Sequence, residues 1–246
     1  MMGIFKGIVF WLFYFITGAC FLAFAVPFSL MFFPKRKKVF SKLLASYMKW
    51  TVWCSMSLLR IIEIKEFSGI EKIKKSGIII SNHQSFLDVF LLIGNFNCIP
   101  LVKDSYKFNP IFAWVAMLFE FVGLKSTPRG ITEADKKIRN LLQIGELVYI
   151  CPEGTRSLDG KIQKFNSLAF KIAKDMQVPV FPIVIHYSKP FMSKSCASFF
   201  ESEKIRVKVR VLDEILPVAD ETTGKLLSRA REVVEKSYQQ LQQSPL

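Results

Sequence analysis

Histidine is scarce in this 246-residue chain, which holds only His83 and His186. A histidine-rich metal site is therefore not available. The five cysteines, Cys20, Cys54, Cys98, Cys151 and Cys196, are scattered, odd in number and form no Cys-x-x-Cys pair. That spacing argues against a disulfide framework or a zinc site and reads them as small apolar residues in a reducing compartment. No Gly-x-Ser-x-Gly elbow occurs, which counts against a serine lipid hydrolase. Acidic residues are also few. The chain has 20 Asp and Glu against 34 Lys and Arg, a formal net charge of +14. Internal repeats and low-complexity linkers are lacking.

What is abundant is apolar. Hydrophobic residues make up 51% of the chain, 24 of them Phe. A basic and polar chain would suggest nucleic acid, a reading with only the net charge behind it here. A basic and greasy one points to anionic membrane lipid or to phosphorylated lipid substrates. Between Lys6 and Lys35 lie 28 positions without a charge, and a membrane span needs about 20. Gly18 and Pro27 are candidates to break this run into a hairpin dipping into one leaflet. Ala23-Phe24-Ala25 resembles a signal-peptide cleavage site, but the run outlasts an ordinary h-region and continues through Phe33, so a retained anchor is expected. Lys35-Arg36-Lys37-Lys38 follows, and the positive-inside rule puts this cluster and the domain after it on the cytoplasmic face. Leu43 to Ile62 reads as an amphipathic helix, on the membrane or against the hydrophobic run. Residues 1–80 carry twelve Lys and Arg against three Asp and Glu, so most of the basic excess lies beside the expected membrane contact. Residues 1–62 are accordingly expected to anchor and 63–246 to form the working domain.

From residue 77 the pattern becomes α/β. Gly77–Ser81, Ile99–Val102, Leu147–Cys151 and Val180–His186 are short apolar runs that predict buried strands. Helical stretches lie near Ser85–Gly94, Thr132–Ile144 and Asn166–Gln177. This alternation predicts a mostly parallel or mixed sheet flanked by helices. Lys204–Leu212 alternates strictly and reads as a half-exposed strand near an edge. Thr222 to Gln243 reads as a polar helix.

His83 follows the apolar strand Gly77–Ser81 directly, at the carboxyl end where open α/β sheets place ligands. Ser85 and Asp88 form a plausible N-cap and N3 pair for the next helix. Five residues apart on a regular helix, His83 and Asp88 would diverge by about 140°. They meet only if His83 lies in the loop and Asp88 reaches back from the first turn. Asp88 would then accept from one ring nitrogen and fix the tautomer, leaving the other to take a proton from an alcohol. A second cluster, Cys151-Pro152-Glu153-Gly154-Thr155-Arg156-Ser157, follows the strand Leu147–Ile150. Gly154 permits a tight backbone, Thr155 offers a hydroxyl, and Arg156 a planar fork suited to phosphate. Lys103, at the end of Ile99–Val102, is a further candidate to meet a phosphate. His186 reads as structural, and Cys151 has no visible partner that would make it a nucleophile.

Four motifs in order resemble those of the glycerolipid acyltransferase family that contains 1-acyl-glycerol-3-phosphate acyltransferases. They are Asn82-His83…Asp88; Gly123-Leu124-Lys125-Ser126-Thr127-Pro128-Arg129, with Arg129 as the matching arginine; Pro152-Glu153-Gly154-Thr155-Arg156; and Val178-Pro179-Val180-Phe181-Pro182. The resemblance covers about residues 77–190. It implies acyl transfer from a thioester, acyl-CoA or acyl-carrier protein, to the sn-2 hydroxyl of a lysophospholipid, most directly 1-acyl-glycerol 3-phosphate. It implies His83 as base, Asp88 as its holder, and Arg129, Glu153, Gly154, Thr155 and Arg156 around the acceptor phosphate. No cofactor beyond the acyl thioester co-substrate is implied. Glu153 sits oddly beside a phosphate and is alternatively expected to hold Arg156 or Arg129. One departure stands out: the family usually shows Phe-Lys-x-Gly where this chain has Phe165-Asn166-Ser167-Leu168. Lys161 and Lys164 lie nearby.

Overall fold

The structure is a computed structural model that describes residues 2–32, 35–108, 120–191 and 204–244. The uncharged run forms helix α1 (Met2–Leu30). It passes through both candidate break points, Gly18 and Pro27, as one helix. Pro27 lies in the last turn, so the i→i−4 bond it removes and its clash with the carbonyl four residues back fall at the helix end and leave the helix before it unbroken. Helix α2 (Arg36–Ser57) starts inside the basic cluster, earlier than expected, and ends short of Ile62, which opens the first strand. The two helices pack as a pair. Thr17 Oγ1 and the Tyr47 hydroxyl lie 3.1 Å apart, and the Phe21 and Tyr47 rings stack at 4.5 Å.

Seven strands form one sheet: β1 (Ile62–Ser68), β2 (Gly77–Ser81), β3 (Ile99–Lys103), β4 (Val122–Leu124), β5 (Leu147–Ile150), β6 (Val180–Tyr187) and β7 (Ile205–Val211). Their order is β1-β7-β6-β2-β5-β3-β4. From β6 across to β4 the pairing is parallel. β7 runs antiparallel to β6, and β1 parallel to β7. The expected mixed α/β sheet is what forms. β7 lies next to the edge strand β1, near the edge as expected, but it is mostly buried rather than half-exposed. Its charged residues are accommodated from both sides: Arg210 pairs with Glu66 of β1 at 2.8 Å, and Lys208 Nζ donates to the Ser244 hydroxyl at 2.6 Å. Alternation therefore marked a strand whose charged positions find an ion-pair or hydrogen-bond partner on neighbouring elements.

Two apolar layers cover the sheet. On one face α1, α2 and α3 (Leu87–Phe96) pack over Ile79, Phe181, Ile183, Ile185 and Val207. On the other, α4 (Pro128–Gln143), α5 (Leu168–Met176) and α6 (Thr223–Gln243) pack over Ile78, Ile80, Val148 and Val184. Helix α2 belongs fully to the first layer, since Phe40, Leu44, Val52 and Cys54 are buried. Its approach to α3 is close: a Cβ on Gly94 would lie 3.0 Å from the Lys49 backbone nitrogen. By contrast Ile8, Leu12, Ile16 and Phe24 of α1, with Trp50 and Trp53 of α2, remain exposed. The segment Leu12–Leu30 is long and apolar enough to cross a membrane.

Candidate active site

Strands β6, β2 and β5 are adjacent and parallel, so their carboxyl ends open on one edge of the sheet. His83 leaves β2 there. Its position is set first by Asn82, which is buried and continues the ladder with its side chain. Asn82 Nδ2 donates to the Ile185 carbonyl and Asn82 Oδ1 accepts from the Ile185 N–H, both at 2.8 Å. A strand-like pairing is thus extended past the last strand residue, and the next backbone unit is delivered at a fixed point on β6.

The backbone of His83 is then held from β5. Its N–H donates to Glu153 Oε1 at 2.9 Å, and its carbonyl accepts from the Ser157 N–H at 2.7 Å. The other Glu153 oxygen accepts from the Gln163 N–H at 2.8 Å. Glu153 is thus a staple between the His83 loop and the segment after β5, bonding main chain rather than phosphate. Of the two arginines it was alternatively expected to hold, Arg129 pairs instead with Glu133 at 3.0 Å. Burial pushes the Glu153 carboxyl above its usual range, opposed by the two backbone donors.

The His83 ring meets Asp88 as the loop geometry requires. His83 Nδ1 and Asp88 Oδ2 lie 2.9 Å apart, with Asp88 fully buried and the His83 side chain 19% exposed. The same Asp88 oxygen accepts from the Gln84 and Ser85 N–H groups at 2.9 and 3.0 Å. Asp88 therefore caps the start of α3 and orients the imidazole together. Ser85 plays the other half of the capping pair, its hydroxyl accepting from the Leu87 N–H at 3.1 Å. The second Asp88 oxygen accepts from the Tyr187 hydroxyl at 2.5 Å. Among the described residues, His83 Nε2 has no protein hydrogen-bond partner. With Asp88 accepting the Nδ1 proton, Nε2 carries the lone pair, which is the tautomer a general base needs.

The third motif forms a turn. Gly154 has φ of +68°, a left-handed conformation that favours glycine, and its N–H donates to the Cys151 carbonyl at 3.1 Å. Thr155 and Arg156 are half-buried beside it. Asn166, where the resemblance leads us to expect Lys, donates from both its backbone and its side chain to the Pro152 carbonyl, at 2.8 and 2.9 Å. At this position the departure from the family pattern serves the turn. Partly buried Cys151 is a poor nucleophile, because burial and the nearby Glu153 charge push its thiol well above the usual range.

The remaining expected residues lie apart from the dyad. Arg129 sits in the first turn of α4, which Thr127 caps by accepting from the Gly130 N–H at 3.1 Å. It is 91% exposed. Three strand spacings separate β4 from β2, about 14 Å of sheet. Lys103 is exposed at the end of β3 on the same edge. His186 faces α6, its ring edge-on to Tyr238 at 5.6 Å. Tyr187 and the clamping action of Asn82 were not expected from sequence. The one signal for Tyr187 was its place at the end of the fourth-motif strand.

Fold and site together define an α/β protein with a histidine oriented by a buried carboxylate at the strand ends, an arrangement suited to general-base catalysis. The chain belongs to the acyltransferase family, whose model matches residues 64–186. It is 29% identical over 216 residues to a chloroplastic 1-acyl-sn-glycerol-3-phosphate acyltransferase of Arabidopsis thaliana, an alignment covering 86% of this chain and 57% of the relative. A 1-acyl-sn-glycerol-3-phosphate acyltransferase of Saccharomyces cerevisiae is 26% identical, with 77% of this chain and 64% of the yeast protein covered. The chain thus spans less than two thirds of these relatives' lengths. The fold is that of the crystal structure of the 1-acyl-sn-glycerophosphate acyltransferase PlsC from Thermotoga maritima. The TM-score is 0.78 over the full length of both chains, at 22% identity.

Proposed function

We propose that this protein transfers a fatty acyl group from an acyl thioester to the sn-2 hydroxyl of 1-acyl-glycerol 3-phosphate, giving phosphatidic acid for phospholipid synthesis. The observation that carries this reading is His83 Nδ1 held 2.9 Å from a fully buried Asp88 carboxylate, with Nε2 left for substrate. The names of the relatives from Arabidopsis and yeast supply the acceptor. In the reaction, His83 Nε2 takes the proton of the acceptor hydroxyl as its oxygen attacks the thioester carbonyl. The tetrahedral intermediate collapses by breaking the carbon–sulfur bond, and the thiolate leaves and recovers the proton from His83. A thioester is already activated, so no enzyme nucleophile is required. Gly154, Thr155 and Arg156 are assigned to the acceptor phosphate region, with Glu153 shaping the turn that presents them, and Arg129 is assigned to it from the start of α4.

The membrane is the source of the acceptor. Exposed Leu, Ile, Phe and Trp side chains of α1 and α2, with exposed Lys35 and Lys38 where α2 begins, suit an anionic bilayer surface on the cytoplasmic face. A second acceptor, glycerol 3-phosphate or another lysophospholipid, is tested in the same assay, as is the donor, acyl-CoA against acyl-carrier protein. Membranes containing the protein are incubated with labelled donor and each acceptor. His83→Ala is expected to lower phosphatidic acid formation by about 10²- to 10⁴-fold. Product formation that survives this change removes His83 as the base, and no product with any acceptor removes acyl transfer.

A further inference from the structure

We propose that Tyr187 is a positioning residue for the dyad, acting on His83 through the second oxygen of Asp88. This rests on the acyl-transfer reading of the site. Asp88 is fully buried, so its charge must be met by donors from the protein. Three of these, His83 Nδ1, Gln84 N and Ser85 N, converge on Oδ2 and come from one short loop. Three donors on one oxygen leave the other, Oδ1, to be met by a donor from elsewhere in the fold. Tyr187 supplies it at 2.5 Å from a different element, the end of β6, and so ties the carboxylate to the sheet as well as to the loop.

Tyr187 is itself well placed to do this. It is 6% exposed, and its backbone is paired in register with Val207 of β7. Burial and the Asp88 charge keep the phenol protonated and therefore a donor. The alternative is that the ring merely fills the layer beneath α3. Phenylalanine would fill it equally well, so the hydroxyl alone separates the two roles.

The test is Tyr187→Phe in the full-length protein in lipid nanodiscs, with folding checked by circular dichroism. A positioning role is expected to lower kcat about tenfold, with KM for donor and acceptor within about twofold. The downfield imidazole N–H resonance of His83, assigned by its loss in His83→Ala, is expected to shift and broaden. In the Asp88→Asn background the same change should alter kcat by less than about twofold, because the group it acts through is gone. Unchanged kcat with an unmoved His83 resonance overturns the proposal, as does a full tenfold loss on top of Asp88→Asn. If the unaltered protein acylates no lysolipid, the acyl-transfer reading fails, and the His83 resonance in Tyr187→Phe alone decides the role of Tyr187.

Discussion

Glu153 shows how a residue's type and its task can part company. In sequence it lies beside Arg156 in a cluster that reads as a phosphate site. In the fold both its oxygens are committed to backbone N–H groups, of His83 and of Gln163. Its carboxyl is raised above the ordinary range chiefly by burial. Between the unfolded value and this raised folded value the native state binds the extra proton, so stability falls as pH rises through that window. Above it the full cost of burying the charge is present. Glu153→Gln cannot titrate. Subtracting its denaturation midpoint from that of the unaltered protein, across about pH 4 to 7, is expected to leave a difference that moves against the unaltered protein as pH rises. A flat difference would show that the carboxylate is not desolvated. The variant also turns an amide N–H₂ toward one of two backbone donors, and about 1–3 kcal/mol of destabilisation is expected at any pH.

At the scale of elements, the parallel interior strands carry the site, and the junction between β2 and β6 is the most exacting. Asn82→Ala leaves the Ile185 N–H and carbonyl buried without their partners, which is expected to cost about 2–4 kcal/mol and to lower activity through displacement of His83. Urea denaturation measures the first and initial rates the second; an unchanged midpoint would show that water replaces the amide. β2, β3, β5 and β6 were legible because strands buried on both faces are near-continuous apolar runs. β1 was not, since Ile-Glu-Ile-Lys-Glu-Phe-Ser is an edge strand whose charges pair laterally with β7. β4, only Val122–Leu124, is too short for any period to show. The His83–Asp88 contact was legible because strand, loop and helix start are consecutive in the chain. Tyr187 is 99 residues from Asp88, and no local pattern encodes a contact made only when β6 docks beside β2.

For the whole molecule, the division of the chain into anchor and working domain is looser than composition suggests. Helix α2 lies between α1 and α3 and buries Phe40, Leu44, Ala45 and Val52 in the layer that also holds Phe90, Leu91 and Leu92. Removing residues 1–57 uncovers this face. The shortened chain is expected to be recovered aggregated rather than as a soluble, active monomer, as gel filtration would show. A soluble, active fragment would mean that the sheet and α3 stand without α2.

Gly94 gives the close packing of α2 on α3 a practical meaning. Asp88 is in the first turn of the helix that α2 grips through Gly94, six residues further on. The exposed apolar pair α1 and α2 is therefore joined to the carboxylate behind His83 through one helix, α3. A detergent that loosens α1 and α2 works on the lever that aims the imidazole, so turnover should fade while the opposite layer, α4 to α6, is still intact. For anyone handling this protein, the choice of solubilising agent is itself a perturbation of the catalytic geometry.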